Sequence, residues 1–222
     1  MHDDLDYTIR RSPRARRIRV SVDPHGGVEV VIPTRATKKD ARAAVAELRP
    51  WIDKRLHEAR ATRMRLASPP GTVPFLGGHL WLQYDEGRTR VHRKDDVLHV
   101  PAQDTPEAIE RWYRAQARAE IAPRLTRATG ALGRSHTTLS IRNQRTRWGS
   151  CSSSGAMSFN WRLLLAPEPV LDYVVWHEAC HLVVMDHSRR FWSLVERYLP
   201  SYREPRRWLR QNGAALVLPA QA

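Results

Sequence analysis

His177-Glu178-Ala179-Cys180-His181 and, six residues on, His187 gather three imidazoles and a carboxylate in one short stretch. An α-helix turns about 100° per residue, so residues four apart stack on one face. His177 and His181 can therefore aim two ring nitrogens at one metal ion, with Glu178 beside them to carry a proton. H-E-x-x-H on a helix is the pattern a zinc hydrolase needs.

Segment 170–185 is the element that must position these groups. Val170, Val174, His177, His181 and Val184 repeat at 4-3-4-3 spacing in a helix that is apolar nearly all round. Burying two imidazoles and a carboxylate is expensive unless they are paired or bound to metal, so metal ligation outweighs a pair of core histidines. A catalytic zinc takes three protein ligands and a water. His187 is the expected third ligand, with Glu196 on the next helix as its competitor. On a continuous helix residue 187 would point about 120° away from His181, so the chain must leave the helix between Val184 and His187. Asp186, which tolerates the left-handed conformation, is the expected exit. Ser188 then caps a helix carrying Phe191, Leu194, Val195, Tyr198 and Leu199. The spacing equals the metzincin signature H-E-x-x-H-x-x-G-x-x-H, but Val184 stands in the glycine position, so a metzincin fold does not follow.

The rest of the chain reads as α+β. Ile18, Val20 and Val22 alternate with polar residues, Asp23-Pro24-His25-Gly26-Gly27 turns, and Val28, Val30 and Ile32 return. Thr37 caps a helix with Ala41, Val45 and Leu48 on one face. Pro50 breaks or restarts it, and Trp51, Ile52 and Leu56 carry an apolar face to about Arg63. Pro69-Pro70-Gly71 marks a linker. A second β region covers 73–76, 79–84 and 97–100. Thr105-Pro106-Glu107 starts a helix with Ile109, Trp112, Ala115 and Ala119 on its face until Pro123 disturbs it. Thr137 to Ile141 reads as a strand, 149–155 as a Ser-rich loop and 156–165 as a strand on the active-site side. Ser201 and Glu204 form a capping box for a last helix with Trp208 and Leu209, ended by Gly213. The expected organisation is an N-terminal β-hairpin and helix region, 1–104, and a catalytic core, 105–222, which can also form one continuous domain.

The formal net charge is +14. Arginines cluster between Arg10 and Arg19, at Arg142, Arg145 and Arg147, and at Arg203, Arg206, Arg207 and Arg210. This balance favours acidic partners, among them nucleic acid, nucleotides and acidic polypeptides. No nucleic-acid motif accompanies it, so incidental surface charge is the plainer reading. Cys151 and Cys180 belong to no C-x-x-C pair and read as small buried residues. The chain opens without a basic-then-apolar signal segment and has no run of about 18 apolar residues. A soluble, cytoplasmic protein with no membrane partner is expected.

Arg147-Trp148-Gly149-Ser150-Cys151-Ser152 and Asn160-Trp161-Arg162 precede the His-Glu motif. Asp186-His187-Ser188, Phe191-Trp192, Tyr198-x-Pro200-x-Tyr202 and Arg207-Trp208-Leu209 follow it. In that order they closely resemble the YgjP-like metallopeptidases, relatives of the SprT-like zinc proteases within the zincins. The N-terminal run from Ile9 to Val20 resembles the start of that family too. The resemblance implies a minimal zincin-like core: the metal helix, a packing helix and a short sheet whose edge can receive an extended substrate. It also implies one Zn2+ per chain on His177, His181 and His187, with Glu178 as the catalytic carboxylate. The family does not carry the metzincin glycine. The expected activity is hydrolysis of peptide bonds in a polypeptide of unspecified identity, with Glu178 as general base to a metal-activated water. Arg147, Asn160 and Tyr198 are candidate oxyanion donors, each with a structural role as the plainer alternative. Two rival readings are a metal-dependent phosphohydrolase whose Arg142, Arg145 and Arg147 hold a nucleotide's phosphates, and a nucleic-acid-associated zinc protein. These residues leave the oligomeric state open.

Overall fold

The structure, a computed structural model, describes residues 5–22, 27–103, 105–144 and 147–218. The expected turn at 23–26 and Arg145 lie outside the described residues. Two compact units divide between Ala67 and Ser68, beside the Pro69-Pro70-Gly71 linker.

In the first unit, β1 (Thr8–Arg11), β2 (Arg19–Val22) and β3 (Val28–Ile32) form a sheet in the order β1-β3-β2. The central strand β3 runs parallel to β1 and antiparallel to β2. Ile9, Val20 and Val30 share one row of the sheet. Their face packs with Ala41, Val45 and Ile52 of α1 (Lys38–Glu47) and α2 (Arg49–Arg65). Thr37 and Asp40 form a reciprocal capping box at the start of α1. Pro50 sits in the first turn of α2, where a missing N–H costs no helical bond, so it restarts the helix. Trp51 and Leu48, expected on apolar faces, are instead exposed.

In the second unit, β4 (Thr72–Phe75), β5 (Gly78–Asp85), β6 (His92–Lys94) and β7 (Val97–Pro101) form a sheet in the order β4-β5-β7-β6. Val73, Leu80, Leu98 and Val100 from it lie in the same core as the metal helix. That shared core explains why this β region belongs with the second unit. The 27-residue α3 (Thr105–Ala131) runs straight through Pro123. Its buried face is Ile109, Trp112, Tyr113, Ala117, Ile121, Leu125 and Ala128, while Ala115 and Ala119 are exposed. Packing of Ile121 and Leu125 on both sides of the proline overrides the local break.

Next come β8 (Thr138–Arg142), β9 (Gly149–Cys151) and β10 (Ala156–Asn160), in the order β8-β10-β9. The Ser-rich stretch expected as a loop thus begins with a strand. The expected strand 156–165 stops at Asn160, whose side chain accepts the Arg162 N–H and starts a buried 3-10 turn, Trp161–Leu165. α4 (Glu168–Cys180) follows, then α5 (Arg189–Tyr198) and α6 (Arg203–Asn212). Arg124 of α3 pairs with Glu168 and with Asp172, 3.0 Å away, tying α3 to α4. Gly77, at a positive φ, brings the β4–β5 turn against Pro167 at the start of α4. The Ser201/Glu204 capping box does not form: α6 begins at Arg203 without a side-chain cap. Among the described residues no helix is long and apolar enough to cross a membrane.

Candidate metal centre

α4 buries Val170, Leu171, Val174, Val175 and Ala179, which holds its His177 and Glu178 rigidly at the C-terminal turn. The helix ends earlier than its apolar pattern suggests. The N–H groups of His181, Leu182 and Val183 bond three residues back, to Glu178, Ala179 and Cys180. This tightening swings the chain round so that His187 returns to the other two rings. Asp186 does not adopt a left-handed conformation: the only non-glycine residues at positive φ among those described are Leu76 and Asp95. Asp186 instead accepts the Ser188 N–H at 2.8 Å and shapes the entry to α5.

His177, His181 and His187 converge, with ligand atoms all within 4.8 Å of one another. The Nε2 atoms of His177 and His187 are 3.0 Å apart, close to the roughly 3.3 Å separating two nitrogens that share a tetrahedral metal ion. His181 Nδ1 lies 3.0 Å from the Val184 carbonyl oxygen. It must donate its proton there, which leaves Nε2 with a free lone pair, the usual arrangement of a metal-binding imidazole. The buried His177 Nδ1 has no partner among the described residues. Burial drives His177 down to about 3, with the His181 and His187 rings adding to the effect. Burial lowers His181 too. Both rings are therefore neutral near pH 7, the form that ligates metal. The residues present fit a metal ion.

Phe191 is the floor of the centre. Fully buried, it stacks on His181 at 4.4 Å between centroids and meets His177 and His187 edge-on at 4.9 Å. Trp192 stacks beside the exposed His187 at 5.7 Å. Sequence reading assigns Phe191 and Trp192 only to a helix face and a family motif. Their position four and five residues after His187, on the same turn of α5, was the available signal.

Glu178 is buried against β9. A Cβ on Gly149 would lie 2.6 Å from its Cγ and 2.7 Å from Oε1, so only glycine admits the carboxylate here. Burial raises Glu178 to about 7, against a lowering pull from Arg147. Cys151, on the same side of β9, is raised to about 11 by burial and by the Glu178 charge. Ser150 points the other way and lines a separate cleft with Ser140, Ser158 and Arg142. Arg142 therefore does not join Arg147 at the histidines. Asn160 is committed to backbone, donating to the Gln144 and Arg147 carbonyls. Tyr198 donates to the Ala131 carbonyl and stacks on Trp176. Glu196 pairs with Arg203 at 3.1 Å on the surface.

Three imidazoles converging from a helix and the segment after it, with a carboxylate wedged against an edge strand of a mixed sheet, define an α+β protein of the metal-dependent hydrolase class. The YgjP-like family model, a metallopeptidase domain, matches residues 16–212, and the chain belongs to that family. No curated protein and no solved structure matches the chain.

Proposed function

We propose that the protein is a zinc-dependent peptidase in which His177, His181 and His187 hold one Zn2+ and Glu178 is the general base. The observation that carries this reading is the convergence of the three ring nitrogens beside a buried carboxylate, in a chain with a metallopeptidase domain. Zinc bound there supplies a Lewis acid that acidifies water and polarises a carbonyl. Glu178, its pKa raised by burial to about 7, takes a proton from the attacking water as a carboxylate and returns it to the leaving amine. β9 is an edge strand of its sheet, paired on one side with β10. An extended peptide laid along its other side passes next to Glu178, with backbone hydrogen bonds fixing its register.

The test is metal analysis of the purified chain and of His177→Ala, His181→Ala and His187→Ala, coupled to digestion of an unbiased peptide library. One equivalent of zinc in the wild type, lost in each variant, together with zinc-dependent cleavage, is the expected result. A His187→Ala protein that keeps its zinc while Glu196→Ala loses it would move the third ligand to Glu196. Hydrolysis of nucleoside triphosphates with no peptide cleaved would overturn the peptidase reading.

A further inference from the structure

Two guanidinium groups flank the centre without a carboxylate of their own. Arg206, exposed on α6, lies over Trp192 with its carbon 4.0 Å from the ring centroid. Trp192 in turn packs against both His187 and His177, each at 5.7 Å between centroids. Arg147, also exposed, is two residues from the Gly149 that touches Glu178. Its backbone carbonyl is anchored by Asn160. Neither arginine side chain makes an ion pair or a hydrogen bond among the described residues, whereas neighbouring Arg203 is taken up by Glu196.

Arginines whose charge is not matched locally leave a positive field at the mouth of the centre. Glu178 is buried in the centre, and Asp186, the other acid close by, keeps its charge but has Arg190 beside it to offset that charge. We propose that the centre selects acidic polypeptide, with Arg206 and Arg147 binding substrate carboxylates near the scissile bond. This rests on the peptidase reading and adds the substrate class to it. A guanidinium held over an indole face still has N–H groups to offer a carboxylate, so Trp192 positions Arg206 for one.

The experiment uses two peptide series that differ only in Asp and Glu against Asn and Gln around one cleavable bond. Binding is measured with zinc-loaded Glu178→Gln protein, and kcat/KM with the wild type. The acidic series should bind and be cleaved roughly tenfold better, with the preference shrinking as salt rises. Arg206→Ala and Arg147→Ala should each erase most of that preference while keeping zinc. Arg206→Lys should restore part of it, and Arg60→Ala, the same charge change far along the chain on α2, should leave it intact. Equal binding and cleavage of the two series overturns the inference and leaves the peptidase reading standing. Loss of zinc in Arg206→Ala overturns it by making Arg206 a support for the ring stack, and tighter binding of a single-stranded oligonucleotide than of acidic peptide overturns it as well. If neither series is cleaved, the peptidase reading fails, and equal binding to the Glu178→Gln protein then sinks the acidic preference separately.

Discussion

The sheets β1-β3-β2 and β8-β10-β9 are built on one plan. In each, the last strand in sequence is central, parallel to the first and antiparallel to the second. Their second strands diverge in what they offer the helices. β2 presents Val20 and Val22 to an apolar cluster closed by Ala41, Val45 and Ile52. β9 presents Gly149 and Cys151, and the space so freed is filled by Glu178. One sheet spends its inner face on burial alone. The other leaves out a side chain at one position and thereby admits a carboxylate to a dry site, where desolvation raises it to about 7. The same strand pairing thus makes either a scaffold or part of a reactive centre, and the absence of one edge-strand side chain, at Gly149, decides which.

The comparison breaks most visibly if the carboxylate is neutralised in place. Glu178→Gln keeps the shape that Gly149 accommodates, so zinc content should be unchanged while turnover falls about 10²- to 10⁴-fold. A variant with wild-type turnover would show that the β9 pocket is not catalytic. Gly149→Ala tests the same pocket from the strand side. Its Cβ forces Glu178 to move, and a displacement of that kind should lower kcat about 10²-fold with the zinc retained, as measured by steady-state kinetics and metal analysis. In the other sheet, Val30→Ala removes two methyl groups from a fully buried position and should lower stability by about 2 kcal/mol, read from urea midpoints, without altering metal binding. Smallest of all is Ser158→Ala. Its Oγ meets that of Ser150 at 2.8 Å on the half-exposed outer face, where water can replace it, so a loss under about 1 kcal/mol and unchanged kinetics are expected.

Much of the centre was legible in the residues. The pairing of His177 with His181, and Glu178 beside them, follows from helical period, and the apolar run around them marked the helix as buried. The hairpin β2–β3, the Thr37 cap and the restart at Pro50 were likewise local and correct. Two of the misreadings share a cause. The break at Pro123 and the loop at Gly149 are local signals that packing overruled. α3 continues because Ile121 and Leu125 are buried on either side of its proline, and β9 forms because β10 lies beside it.

The amino-acid sequence by itself determined which side chains share the face of α4, because a four-residue period is a property of the helix and needs no partner. Only the tertiary structure decided what those side chains meet. Gly149 and Glu178 stand 29 positions apart, Arg206 and His177 the same distance in the other direction, and no period relates them. Their meeting depends on how α4, α5, α6 and β9 pack, through excluded volume and burial summed over the whole core.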